Sequence, residues 1–421
     1  MLPPTLARGA ALNLAARLAA VALGLAILVV VARLGPAVQG AFALFVAVES
    51  ALLTLFSGLG LLLAREISNR GAAPAPLLAA LLRTALGLGA AAGLALAAWS
   101  AAAEAEPYRH LWLLALAAPW LLLVPTASGL WLGQGRMALL NAPQVAAPAL
   151  VLALLGGLAW QRPDAASPVL AVLACWVAAK SAVGLATGWA ARRQAGRAAP
   201  APGALRGQWR FVAVIGATNL VSLLNYRATL FLVERQGGLA DAGVYSVAVQ
   251  VAELLWLLSS AVTVSAYHRI GAPDAAEAVA TTLRAVRFNL LATVAAAPLL
   301  YGLAWLALPR VLGPAYAGAL APLGLLLPGV AGYAAASSLS AYYTNHRGRP
   351  QWSAGIAGLS LALTLAIAAF TIPRWGAGGA ALATSLAYLL AIGVALRHFL
   401  RDAGLPWRAL LGGPPQGRIA R

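Results

Sequence analysis

Ala191-Arg-Arg-Gln-Ala-Gly-Arg-Ala-Ala-Pro-Ala-Pro-Gly-Ala-Leu-Arg-Gly-Gln-Trp-Arg210 lies near the middle of the 421-residue chain. It holds Arg192, Arg193, Arg197, Arg206 and Arg210 and no acid. Pro200, Pro202 and Gly203 keep a helix from running through it, because proline lacks the N–H donor and clashes with the preceding turn. On either side the sequence is a nearly unbroken series of apolar segments. The stretch therefore reads as a basic linker, 192–208, between two halves, 1–191 and 209–400, with a short basic tail at 401–421.

The chain is 62% hydrophobic and only 10% charged, against roughly 25% charged for a soluble domain. It is an all-α integral membrane protein on that count. Twelve runs of about 20 residues or more are long enough to span a bilayer. They fall near 9–33, 38–64, 77–100, 109–132, 138–160, 168–190, 209–234, 241–267, 280–308, 316–344, 351–372 and 377–399. The first follows Arg8 and is about 24 residues long, too long for a signal-peptide core, so it reads as a retained span. The single cysteine, Cys175, excludes a disulfide within the chain. The net charge of +18 is spread over loops, which is how charge orients membrane helices, so nucleic acid is not an expected partner. Twenty arginines fall on the linker's side of the spans and six on the other: Arg33, Arg109, Arg162, Arg235, Arg310 and Arg374. Positive-inside asymmetry then puts the linker and both termini in the cytoplasm.

The halves repeat. Gly35-Pro-Ala-Val-Gln-Gly40-Ala-Phe42 opens span 2 and Gly238-Leu-Ala-Asp-Ala-Gly243-Val-Tyr245 opens span 8. Glu49 and Glu253 follow at nearly the same depth. Gly135-Arg136 with Pro143-Gln144 recurs as Gly348-Arg349 with Pro350-Gln351. Six spans per half gives a parallel repeat about an axis along the membrane normal, hence two pseudo-symmetric six-helix lobes.

No catalytic constellation is present, and the chain reads as a non-enzyme. His110, His268, His346 and His398 are dispersed near span ends, which does not suit a metal site. No phosphate-cradling G-x-x-x-x-G-K-[ST] loop occurs, and Gly87, Gly89 and Gly93 read as helix-packing glycines. No cofactor is implied. The chemistry falls to polar residues inside spans, which hydrocarbon solvates badly. Glu49 and Glu253 lie about 18 Å into their spans by helical rise. Ser246, Gln250, Glu253 and Ser260 share one face of span 8, expected to line a cavity. Arg17 lies inside span 1 with Asn13 one turn away, and Arg227 lies inside span 7 near Asn219, Ser222, Asn225 and Tyr226. An arginine fork suits a phosphate, to which it donates two hydrogen bonds at once. Arg284 and Arg287 form a cytoplasmic rim able to attract an anionic headgroup. Lys180 is expected to snorkel to the interface. Tyr342, Tyr343, Asn345 and His346, with Trp131 and Gln134 in the matching place, read as an interfacial belt.

Several stretches resemble one known family. They are Gly243-Val-Tyr-Ser-Val-Ala-Val-Gln-Val-Ala-Glu-Leu-Leu-Trp256, Asn225-Tyr-Arg227, Leu312-Gly-Pro-Ala-Tyr316, His346-Arg-Gly-Arg-Pro350, Ile372-Pro-Arg-Trp-Gly-Ala-Gly-Gly-Ala-Ala381 and, in the first half, Gly35 to Gly60. In order and spacing they resemble the Wzx-type, polysaccharide-biosynthesis flippases of the multidrug/oligosaccharidyl-lipid/polysaccharide (MOP) exporter superfamily. The resemblance implies a MATE/MOP-like fold with a central cavity. It implies transfer of a polyprenyl-pyrophosphate-linked oligosaccharide between leaflets by alternating access, for O-antigen, capsule or exopolysaccharide. Arg17, Asn13, Glu49, Asn219, Asn225, Tyr226, Arg227, Gln250 and Glu253 would line the cavity. Membrane lipids, a polysaccharide polymerase and glycosyltransferases are the implied partners. Many relatives carry an acid just after the Asn-Tyr-Arg stretch, where this chain has Ala228 and Thr229. Three alternatives remain open: a drug or cation antiporter of the same fold, a peptidoglycan-precursor flippase, and a non-transporting membrane scaffold.

Overall fold

The computed structural model describes residues 4–161, 168–203 and 205–411, and among these every regular element is helical. Arg162, Arg418 and Arg421, counted above for orientation, lie outside the described residues. The first half contributes α1 (Pro4–Ala32), α2 (Pro36–Arg70), α3 (Pro74–Ala102), α4 (Trp112–Gly133), α5 (Met137–Gln161) and α6 (Pro168–Ala195). The second contributes α7 (209–237), α8 (239–270), α9 (Ala275–Leu312), α10 (Pro314–His346), α11 (350–375) and α12 (377–402). A single 3-10 turn, Trp407–Leu411, follows.

Among the described residues ten continuous helical stretches are long and apolar enough to cross a membrane. Two of these are hairpins. Gly238 (φ 79°) interrupts the stretch from Trp209 to Ile270, and Gly376 (φ 51°) the stretch from Pro350 to Asp402. Both backbones sit where a Cβ is penalised, and glycine adopts them freely. Arg227 and Glu253, 26 residues apart, would stand about 39 Å apart on a straight helix, yet their side chains meet at 2.8 Å. Likewise the Thr371 hydroxyl donates to the Gly379 carbonyl at 2.8 Å across the second turn. Among the described residues that makes twelve helices able to cross a membrane, as in a multi-pass membrane protein.

Two helix ends run past the apolar runs that mark them in the sequence. α2 continues to Arg70, where Arg70 pairs with Glu66 at 3.1 Å and the left-handed Gly71 (φ 63°) closes the turn. α9 starts at Ala275 because Asp274 caps it, accepting from the Ala276 N–H at 3.0 Å, with Glu277 at the third helical position.

By packing, the chain divides into two compact units, Met1–Leu223 and Leu224–Arg421. The boundary falls inside α7, because the first turns of α7 pack against α2: a Cβ on Gly216 would meet the Leu55 carbonyl, and Arg65 lies over the Phe211 ring at 4.8 Å. In the first unit α4 is enclosed by α2, α3 and α6. Gly60 of α2 and Gly129 of α4 let two backbones touch, since a Cβ on Gly60 would fall 2.0 Å from the Pro125 carbonyl oxygen. Gly89 and Gly93 of α3 face α4 in the same way, while Gly87 faces open space.

In the second unit α8, α9 and α10 are joined by buried polar contacts. Thr263 meets Ser338 at 3.0 Å, Asn289 donates to Ser338 at 3.0 Å, and Thr293 donates to the Ala331 carbonyl at 3.0 Å. Such bonds hold helices together where lipid supplies no hydrophobic drive. The outer faces are apolar: Leu94 is 75% exposed, Leu291 72% and Phe370 69%. That is the surface expected of a protein solvated by acyl chains.

The sequence repeat extends to backbone conformation. Gly35 (φ 117°) and Gly238 (φ 79°) both precede the helices they open, and Gly135 (φ 68°) and Gly348 (φ 64°) adopt the same left-handed turn. Phe42 and Tyr245 are both buried.

Candidate functional site

Among the described residues each unit holds a carboxylate deep in a span, Glu49 or Glu253, with a cation against it. In the first unit Glu49 of α2 is fully buried. Its Oε1 meets Lys180 Nζ of α6 at 2.6 Å, and its Oε2 accepts from the Trp176 indole N–H at 2.6 Å. Trp176 precedes Lys180 by one helical turn, so both side chains leave α6 on one face. The ammonium also lies 4.7 Å from the centre of the Trp176 ring, a cation–π distance. Phe42, two turns before Glu49, meets that indole edge-on at 5.1 Å.

Lys180 does not snorkel. It stands about 18 Å along the helix from the first residue of α6, and its ammonium turns to Glu49 instead. Sequence separation hid this pair. The signal for it was depth: a lysine and a glutamate in mid-span need each other.

In the second unit Arg227 of α7 and Glu253 of α8 form a fork-to-fork pair, with bonds of 2.8 and 3.0 Å. This pair is more open than the first: the two side chains are 31% and 21% exposed. Rings surround it. Tyr226 lies 5.1 Å from Trp256, Trp256 lies 6.2 Å from both Tyr333 and Tyr388, and Tyr333 stacks on Tyr388 at 4.5 Å. The Trp256 indole N–H is held by the Val330 carbonyl at 3.0 Å, and Tyr388 donates to the Asn225 carbonyl at 3.3 Å. Tyr245 is buried and bonds Thr229 at 3.0 Å.

The structure thus brings Asn225, Tyr226, Arg227 and Glu253 together, with Gln250 half-buried one turn from Glu253. Asn219 instead donates to Ser57 at 3.0 Å, at the break in α2 where Ser57 bonds the Thr54 carbonyl. Arg17 is exposed on α1, with Asn13 half-buried one turn away. No acid among the described residues lies within ion-pair distance of Arg17. Of the polar stripe on α8, Ser246 is buried and donates to the Gly243 carbonyl of its own helix, while Ser260 is half-buried. Arg284 is exposed and donates to Ala280 one turn back. Arg287 turns to the tail, where its Nε donates to the Ala409 carbonyl at 2.6 Å.

The aromatic residues at the end of α10 do not form an interfacial belt. Tyr342 and Tyr343 are buried, as is Trp131. Tyr343 stacks on Trp352 at 3.9 Å and donates to Asp402 at 3.0 Å, and Arg347 reaches the same carboxylate at 3.4 Å. Trp131 donates to Gln194 at 2.8 Å. These rings lock helix ends together, because the indole and phenol find polar partners inside the unit.

No family model and no curated protein matches the sequence. Solved structures do match. One is described as the inward-facing conformation of a multidrug resistance MATE family transporter of the MOP superfamily. Its TM-score is 0.74 at 14% identity, covering 90% of this chain and 93% of that one. The outward-facing conformation of a MATE family transporter scores 0.69 at 16% identity, covering 94% and 95%. A MOP superfamily transporter from Pyrococcus furiosus, described as having a binding pocket of reverse polarity that suggests a different function, scores 0.64 at 14% identity, covering 97% and 96%. The chain has the MATE/MOP-like fold.

Proposed function

We propose that the chain is a flippase that moves a polyprenyl-pyrophosphate-linked oligosaccharide across the cytoplasmic membrane by alternating access, for assembly of a cell-surface polysaccharide. One observation carries the reading: a partly exposed arginine fork, Arg227, held inside the spans beside rings able to stack on sugars. A pyrophosphate cannot cross hydrocarbon bare, but a guanidinium in a wet site offers it two parallel hydrogen bonds. In the resting pair Glu253 fills that fork. An arriving phosphate competes for it, and the displaced carboxylate takes a proton or turns to water. Arg17, with no acid within ion-pair distance among the described residues, draws the headgroup from the cytoplasmic side. The fold supports alternating access, since solved structures of the same fold are described as inward- and outward-facing. The linker and termini are cytoplasmic in this reading, near the polymerase and glycosyltransferases that handle the same lipid.

The test is lipid analysis of a strain lacking the protein, with sidedness assayed in vesicles. Accumulation of a complete lipid-linked repeat facing the cytoplasm is the expected result. Unchanged lipid-linked sugars with raised sensitivity to amphipathic cations would transfer the fold to a drug antiporter.

A further inference from the structure

The two intramembrane carboxylates are repeat-related, yet their cations come from different places. Glu253 takes its cation from α7 and remains partly exposed; Glu49 takes its own from α6 and is closed. The surroundings of the Lys180 ammonium have the chemistry of a monovalent-cation site. A carboxylate oxygen touches it at 2.6 Å, an indole face lies at 4.7 Å, and the second carboxylate oxygen is fixed by the same indole's N–H. With the ammonium in place the carboxylate is closed off, its side chain 1% exposed against 25% for the lysine. Hydrocarbon around the pair makes an unneutralised Glu49 too costly to persist.

We propose that the Lys180 ammonium is a tethered occupant of a monovalent-cation site formed by Glu49 and Trp176. While it is in place Glu49 takes no exchangeable cation; without it the site binds sodium, potassium or a small alkylammonium. Lys180 thereby determines whether the first unit can take an exchangeable cation. The inference stands on the first unit alone and does not depend on which substrate is moved.

The experiment measures the thermal midpoint of the purified full chain in detergent. Lys180→Ala, Glu49→Gln and the Lys180→Ala/Glu49→Gln double variant are compared with the unaltered protein. Sodium, potassium and ethylammonium chlorides are titrated against N-methylglucamine chloride at equal ionic strength. Lys180→Ala is expected to gain a saturable, cation-specific rise of at least about 3 °C near 100 mM salt. The double variant and the unaltered protein should show none. Ionic-strength dependence alone in Lys180→Ala would overturn the proposal. So would a cation-specific rise in the unaltered protein that Glu49→Gln abolishes. If Lys180→Ala cannot be purified in any of these salts while the double variant folds, no free cation fills the site, and the proposal fails on that result too.

Discussion

Replacing Glu253 by Gln keeps the side chain's size and removes its charge. The Arg227 fork then keeps one amide acceptor in place of two carboxylate oxygens at 2.8 and 3.0 Å. Charge-assisted bonds of this kind contribute about 1.5–3 kcal/mol each when dry. The exposures of 31% and 21% call for a discount, so we take about 1.5–3 kcal/mol for the pair as a whole. For a unit of this size, about 1 kcal/mol moves the midpoint by about 2–4 °C, giving a fall of about 3–12 °C. A double-mutant cycle of Glu253→Gln with Arg227→Met isolates the coupling. Transport should respond differently. A guanidinium released from its carboxylate holds phosphate more tightly, so KM falls by about tenfold for each 1.4 kcal/mol of freed interaction. Turnover falls as well, because release slows. The assay is uptake of a lipid-linked oligosaccharide into vesicles over a range of substrate densities. Coupling below about 0.3 kcal/mol, or a KM that rises in Glu253→Gln, would refute the reasoning.

Arg17→Ala should reduce flipping at normal abundance in the membrane, measured by the same vesicle assay with immunoblotting; full activity would remove Arg17 from the mechanism. Gly60→Ala should destabilise by about 3 kcal/mol or more, because its Cβ would collide with the Pro125 carbonyl. Gly87→Ala, facing open space, should be neutral or stabilising by thermal midpoint, since alanine is the better helix former. Asp402→Ala should cost about 1–2 kcal/mol through loss of the Tyr343 and Arg347 contacts, again read as a midpoint. A cysteine placed at Ala198 in a Cys175→Ala background should react with a membrane-impermeant maleimide only in inside-out vesicles. Labelling in right-side-out vesicles would reverse the assigned topology.

The twelve passes were legible because apolar length is a one-dimensional signal and because each hairpin glycine, such as Gly238, stands between two runs. The repeat was legible because positive φ strongly favours glycine, so Gly35 and Gly135 have recognisable partners in the second half. Glu49 and Arg227 stood out as charges in hydrocarbon. Their partners were harder to read. Arg227 and Glu253 lie on adjacent helices, and the hairpin brings them opposite each other. Lys180 is 131 residues from Glu49, and only the packing of α6 against α2 joins them. The Tyr342–Tyr343 pair misled because buried phenols with internal partners and interfacial phenols share one composition.

The paired charges also constrain how this sequence can drift. Loss of Lys180 alone leaves Glu49 dependent on a free cation, and loss of Glu49 alone strands Lys180. Neither single step is neutral. A gene encoding such a pair is caught in a ratchet, able to drop both charges together or to recruit a substitute cation first. After a duplication the acid can be inherited in both halves while the basic partner migrates to another helix, as the placing of Lys180 and Arg227 on α6 and α7 illustrates.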